Sequence, residues 1–236
     1  MSRVILLDIE GTVSPLAFVH EVMFPYARTR LVSHLAAHWN EPAVQAAVEQ
    51  MASDAGHASL ASWCPAQAEA AAFAAEEARK LMDADVKATG LKMLQGLIWE
   101  QGFRDRALRS TLFEDVPAAL QAWHTAGIDL RIYSSGSVHA QKLFFAHTEA
   151  GDLTPLFSGY YDTTIGSKRE AESYCRIAKN CQTTTESILF ISDVVAELDA
   201  AHEAGLQTML AIRPGNVLPS KHDHRVIHSF RDIPLP

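Results

Sequence analysis

The sequence predicts an α/β fold in which an open parallel sheet, wrapped by helices, is interrupted by an inserted all-helical unit. Three observations predict it: a short apolar run at the start that ends in a polar turn, a long alanine-rich stretch with helical spacing, and a later half in which strand, polar turn and helix recur.

Val4-Ile5-Leu6-Leu7 is too short for a helix and runs into Asp8-Ile9-Glu10-Gly11-Thr12, the pattern of a buried strand feeding a turn. From about Leu16 to about Phe113 the texture changes. Seventeen alanines fall between Ala43 and Ala88, Gly56 is the single glycine between Gly11 and Gly90, and Val44, Val48 and Met51 recur at helical intervals. Breaks at Asn40-Glu41-Pro42, Ala55-Gly56-His57, Cys64-Pro65 and Thr89-Gly90 divide this block into four or five helices. Alternation returns after Asp115. A helix from Pro117 to Ala126 precedes a strand at Leu130–Tyr133, and Ser134-Ser135-Gly136-Ser137 then turns into a helix carrying Leu143, Phe144 and Phe145. A short strand near Tyr160-Tyr161, a loop with Gly166 and Lys168, a helix from Glu170 to about Ala178, a strand from Ile188 to Ile191, a helix ending at Gly205 and a strand from Thr208 to Ile212 follow. The expected organisation is a discontinuous core, residues 1–15 and 116–236, and a helical cap at 16–115.

Composition narrows the function classes. With 236 residues and 48% hydrophobic content the chain buries a substantial core, which excludes disorder and small disulfide scaffolds. Twenty Lys and Arg against 28 Asp and Glu give −8, and no basic block offsets this, so a nucleic-acid backbone is an unsuitable partner. No apolar run approaches a membrane span or a secretory signal, so the expectation is a cytoplasmic protein with no membrane partner. Cys64, Cys175 and Cys181 form no C-x-x-C pair and read as reduced thiols.

In an open parallel sheet, ligands bind beyond the C-terminal strand ends. Asp8 and Glu10 follow the first strand, Ser134 and Ser135 the second, Asp193 and Glu197 a later one, and Lys168 comes from the loop between the last two. Carboxylates at Asp8 and Asp193 supply hard oxygens suited to Mg²⁺. Lys168 would neutralise phosphate charge, while Ser134 or Ser135 and the N–H groups of Ser135 and Gly136 would donate to phosphate oxygens at a helix start. Each residue also has a plainer reading: Asp8 as a turn or N-cap residue, the serines as caps, Lys168 as a solvated charge, Asp193 and Glu197 as acids at a helix start. Phe18, Phe24, Tyr26, Trp99 and Phe103 read as core, and His222, His224 and His228 as loop histidines without a zinc spacing.

Asp8-Ile9-Glu10-Gly11-Thr12, the Ser134 turn, Lys168 and Ser192-Asp193-Val194-Val195-Ala196-Glu197 stand in the order of the four motifs of the haloacid-dehalogenase-like hydrolases, which this chain resembles. More narrowly, VILLDIEGT, FVHEVMFPYAR, LQGLIWEQGF, YSSGSVHAQKLFF, YYDTTIGSKREAESY and RPGN are similar to the enolase-phosphatases of methionine salvage, from Val4 to about Asn216. The resemblance implies a Rossmann-like core with an inserted cap and a bifunctional enzyme using one Mg²⁺ per subunit. Its small-molecule substrate would be the phosphorylated diketone 2,3-diketo-5-methylthiopentyl-1-phosphate, which is enolised and then hydrolysed to acireductone and phosphate. It further implies Asp8 as nucleophile and metal ligand, and Glu10 in metal coordination and acid/base work. Ser134 and Ser135 would hold phosphate, Lys168 would pair with phosphate and Asp8, and Asp193 would complete the metal site.

The enolisation base stays open among Glu10, His20, Glu21 and a group in the cap. A small-phosphate phosphatase using the same Asp8, and a non-catalytic phosphate-binding scaffold, are the competing readings. A dehalogenase has no use for Asp193 as a metal carboxylate, and a serine hydrolase lacks its G-x-S-x-G elbow. A monomer is expected, because the insertion supplies a built-in lid.

Overall fold

The structure, a computed structural model, describes residues 4–64, 66–219 and 221–233. Pro65, part of one expected helix break, lies outside the described residues, as do 1–3 and 234–236 at the ends of the expected core. By packing, the chain forms two compact units, Met1–Val19 with Arg109–Pro236, and His20–Leu108. The stretch from Arg109 to Glu114 joins the first unit because Ser110 N–H donates to His147 O at 2.9 Å and Phe113 N–H to Val13 O at 3.0 Å.

The first unit is built on β1 (Val4–Leu7), whose four side chains are all 2% exposed or less. Burial on both faces is what a continuous Val-Ile-Leu-Leu run requires, and it places β1 mid-sheet. Around it lie β2 (Asp129–Tyr133), β3 (Gly159–Tyr161), β4 (Ile188–Ser192), β5 (Gln207–Ala211) and β6 (Arg225–Ile227), all parallel, in the order β3-β2-β1-β4-β5-β6. β6 corrects the sequence reading, which took the charged stretch around His222–His228 as loop. Three residues are too few for a period-2 pattern, yet Met209 to Ala211 of β5 give Arg225 to Ile227 a ladder, and Ile227 is buried.

The inserted unit holds α1 (Phe24–His38), α2 (Pro42–Asp54), α3 (Leu60–Trp63), α4 (Ala70–Asp83) and α5 (Thr89–Arg104). Their shared core includes Leu31, Leu35, Val48, Met51, Leu94 and Ile98. Buried Ala70, Ala74, Ala75 and Ala78 give α4 a thin face against α1, which is how so alanine-rich a sequence still packs. Gly90 allows a close crossing: a Cβ there would lie 2.6 Å from Ala47 O on α2. Phe24, Tyr26, Trp99 and Phe103 pack inside this unit, and Trp99 Nε1–H donates to Met23 O at 2.8 Å, whereas Phe18 packs edge-on against Phe144 of the sheet unit.

The sheet unit is completed by α6 (Val116–Thr125), α7 (Val138–Ala146), α8 (Ala171–Asn180) and α9 (Val195–Glu203). Strand order reverses between β1 and β4, and their register sets Leu7 beside Ile191, so the residues that follow emerge side by side at the C-terminal edge.

Candidate active site

Asp8 is the first residue past β1. Its N–H donates to Ile191 O at 3.0 Å, continuing the ladder with β4, so the side chain is aimed by the sheet itself and is 5% exposed. Oδ1 accepts from Ile9 N–H at 2.8 Å and meets Lys168 Nζ at 2.7 Å. Oδ2 meets the Ser192 hydroxyl at a long 3.3 Å.

Lys168 arrives from the loop after β3. Two core tyrosines fasten that loop: Tyr133 OH donates to Gly166 O at 2.9 Å and Tyr174 OH to Lys168 O at 2.7 Å. The ammonium, 7% exposed, also contacts Glu197 Oε2 at 2.6 Å and lies 5.8 Å from the Tyr133 ring centre and 5.9 Å from that of Phe190. Burial pulls its pKa down, but the adjacent Asp8 and Glu197 carboxylates outweigh this and hold it above the ordinary lysine value, so it stays charged.

Glu197 lies in the first turn of α9, where the helix dipole favours an acid, and accepts from the Ser192 hydroxyl at 3.0 Å. Ser192 in turn accepts from Val194 N–H at 3.1 Å, closing the turn that starts α9. Sequence reasoning quoted Ser192 in its motif without assigning it work; a hydroxyl at a strand end next to an acid is its only signal. Burial and the neighbouring Asp8 push Glu197 above the usual carboxylate range, against the pull of Lys168 and Ser192.

Asp193 follows β4 and presses on the turn after β1. Gly11 has φ +68°, and a Cβ on it would lie 2.1 Å from Asp193 Oδ2, so only glycine leaves room for this carboxylate. Burial, then the nearby Asp8 and Glu197 charges, push Asp193 up to about 7, with Lys168 pulling the other way. Three carboxylates, Asp8, Asp193 and Glu197, thus face one ammonium. This shortage of positive charge among hard oxygens fits a Mg²⁺ ion, which prefers a few carboxylates with waters and phosphate to an all-protein cage. No group of three or more His, Cys, Asp or Glu among the described residues forms such a cage.

Glu10 is half-buried on the same turn and bridges Ser14. That turn is clamped from the β5 side: Arg213 Nε–H donates to Thr12 O at 3.2 Å and Asn216 Nδ2–H to Gly11 O at 2.9 Å. Arg213 is itself 3% exposed, paired with Asp115 at 2.7 Å and layered between Phe113 and Phe230. Sequence reasoning quoted Arg213 and Asn216 in the RPGN stretch without assigning either a role.

Ser134 and Ser135 follow β2, one strand over. Ser134 is 3% exposed, its N–H donates to Tyr161 O at 3.1 Å, and its Oγ accepts from Gly136 N–H at 3.3 Å, so that N–H is already engaged. Ser135 is exposed at the turn, and Ser137 caps α7 through Ala140 N–H at 3.2 Å. His20 and Glu21, candidate bases, are exposed residues of the helical unit. Of the C-terminal histidines, His222 stacks on the His224 ring, and the other two are hydrogen-bonded within the sheet unit. His224 joins Thr208 Oγ1 at 2.8 Å and Asp199 Oδ1 at 2.9 Å, and His228 Nδ1 lies 3.2 Å from Ile212 O.

A family model described as haloacid dehalogenase-like hydrolase matches residues 2–205. A protein of Synechococcus elongatus named Enolase-phosphatase E1 is 46% identical over 229 residues, covering 97% of this chain and 96% of its own. One of Stenotrophomonas maltophilia with the same name is 45% identical over 238 residues, 99% of each chain. The crystal structure of UTR4 protein from Saccharomyces cerevisiae superposes with a TM-score of 0.79 at 31% identity, covering 99% of this chain and 100% of that one. CbbY from Rhodobacter sphaeroides, solved in complex with phosphate, shares the fold at a TM-score of 0.57 and 14% identity, over 98% of this chain and 96% of its own.

Proposed function

Because the chain belongs to the haloacid dehalogenase-like hydrolases and, within them, to the enolase-phosphatases, we propose that the cluster around Asp8 is its catalytic centre. The enzyme acts in methionine salvage, enolising 2,3-diketo-5-methylthiopentyl-1-phosphate and hydrolysing the enol phosphate to acireductone and inorganic phosphate.

In this reading Asp8 attacks phosphorus. Lys168 and Ile9 N–H occupy Oδ1, which leaves Oδ2 as the freer oxygen. A bond forms from Oδ2 to phosphorus as the bond to the enol oxygen breaks. Water then attacks the acyl phosphate at phosphorus, releasing phosphate and restoring the carboxylate. The enol oxygen takes up one proton and the attacking water gives one up, a transfer that Glu10 is positioned by sequence to carry. Phosphoryl transfer depends on charge neutralisation, and Lys168, kept cationic by its two carboxylates, supplies it at the nucleophile. Ser134 and Ser135 hold phosphate oxygens. One Mg²⁺, held by Asp8, Asp193 and the Glu10 position, would when bound offset the repulsion between nucleophile and phosphate.

The single observation that carries this reading is the buried Asp8–Lys168 contact of 2.7 Å, since an attacking carboxylate and its neutralising ammonium must be adjacent and shielded from water. The proposal extends to a catalytic core and an inserted cap, expected at 1–15 with 116–236 and at 16–115, with 16–19 and 109–115 packing on the core side, and to a monomer in the cytoplasm with no nucleic-acid or membrane partner. The net charge of −8 supports the absence of a nucleic-acid partner, and no helix among the described residues is long and apolar enough to cross a membrane.

The test is to supply the diketone phosphate with Mg²⁺ and follow enediol absorbance and phosphate release separately. Both signals are expected. Phosphate from simple esters, with neither signal from the diketone, would make the chain a small-phosphate phosphatase instead.

A further inference from the structure

The loop after β5 is rigid at its root and apolar at its tip. Arg213 ties the root to Thr12 O, Asp115 and His228 O, and Asn216 N–H closes the turn onto Arg213 O at 3.0 Å. Asn216 then spends its amide hydrogens on Gly11 O at 2.9 Å and Ala211 O at 3.2 Å. The next two residues, Val217 and Leu218, are 88% and 71% exposed, against 41–51% for the other exposed large apolar side chains among the described residues. Two adjacent aliphatic side chains therefore stand in water on the loop whose Asn216 holds Gly11 O, in the turn that follows Asp8.

We infer that Val217 and Leu218 are specificity-determining residues that receive the apolar end of the substrate. The inference rests on the enolase-phosphatase reading, whose substrate has a phosphate at one end and a methylthio group at the other. With phosphorus at Asp8, the five carbons, sulfur and methyl group must extend away from the charged cluster, and the loop that Asn216 ties to Gly11 is a neighbour of the turn after Asp8. The charged cluster of Asp8, Asp193, Glu197 and Lys168 offers that tail nothing, whereas Val217 and Leu218 gain by losing water against it. Because Asn216 fixes the root of this loop to Gly11, Val217 and Leu218 follow directly from a point held against the turn.

The experiment compares wild type with the double variant Val217→Ser, Leu218→Ser on two esters, the methylthio substrate and the same diketone phosphate ending in a methyl group. Wild type is expected to prefer the tailed ester. In the double variant the ratio of kcat/KM values, tailed over truncated, should fall about tenfold, chiefly through KM. Both side chains are exposed, so melting temperature should hold. An unchanged ratio overturns the inference. So does a loss equal on both esters that tracks a change in sedimentation, which would make the pair a contact between copies of this chain. If wild type turns over neither diketone while cleaving simple esters, the functional reading itself fails; turnover of both with an unchanged ratio defeats the tail contact alone.

Discussion

Replacing Gly11 by alanine should separate backbone strain from damage to the site. At φ +68° an alanine costs roughly 1–2 kcal/mol, which for a chain of this length lowers Tm by about 2–8 °C. Gly127, at φ +77° with nothing within 4 Å of an added Cβ, provides the control, because Gly127→Ala carries the same strain into open space. At Gly11 the new Cβ would meet Asp193 Oδ2 at 2.1 Å and Cγ at 2.5 Å, where ordinary contact begins near 3.4 Å. The carboxylate must therefore retreat by about 1.3 Å, and a displacement of roughly 1 Å in a positioned group costs about 10²-fold in rate. Calorimetry and phosphate release on both variants give the answer. Similar Tm losses with a hundredfold smaller kcat/KM in Gly11→Ala alone are expected. Activity within threefold of Gly127→Ala would refute the claim that Asp193 must sit against this turn.

Asp8→Asn should abolish phosphate release while leaving circular dichroism unchanged, since the amide keeps the shape and loses the proposed nucleophile; retained turnover would remove Asp8 from the chemistry. Lys168→Met strips the one ammonium from three carboxylates and should cost about 3–5 kcal/mol in chemical denaturation, with kcat down about 10²–10³-fold. Chelation with EDTA should silence the enzyme and added Mg²⁺ restore it; full activity in chelator would overturn the metal assignment. For Asp115, burial raises the carboxyl pKa but Arg213, Phe230 N–H and Ser229 outweigh it, so the folded value lies below the ordinary one. The resulting stability is complete above the unfolded value of about 3.9 and is lost as pH falls through the folded value. Asp115→Asn should thus lower Tm at pH 7 and flatten its decline below about pH 4; an unchanged acid limb would show that another group governs it.

The strand ends were legible because an apolar run that stops at a polar residue marks both the buried strand and the point where it surfaces. Asp8, Ser134 and Asp193 were found that way, and Lys168 by its place in the order of motifs. Glu197 stood evenly between a solvated helical face and a site role, since an acid in a first turn has a reason to be there in either case. What brings it in is a contact with Lys168, 29 positions away, that no local pattern encodes. The clamps were illegible for a different reason. Arg213 and Asn216 act on backbone carbonyls 201 and 205 positions earlier, and a carbonyl looks the same whatever residue bears it. β6 was hidden by its brevity and by charged neighbours, and only its partner β5 explains it.

In the proposed mechanism these contacts account together for how one carboxylate would be both buried and reactive. Asp8 has two oxygens and several would-be partners. Lys168 and Ile9 N–H take the first, and the Ser192 hydroxyl, with a single proton to give, lies nearer Glu197 at 3.0 Å than Asp8 at 3.3 Å. Glu197 therefore does more than balance charge: by drawing the serine proton and sharing the ammonium, it keeps the second oxygen of Asp8 from being tied down. Rigidity comes from elsewhere, from the ladder to Ile191 and the grip of Arg213 and Asn216 on the carbonyls of the turn. Holding the backbone tightly while leaving one side-chain oxygen only lightly held is the arrangement the proposed nucleophile needs, because attack then demands little reorganisation of the groups around it.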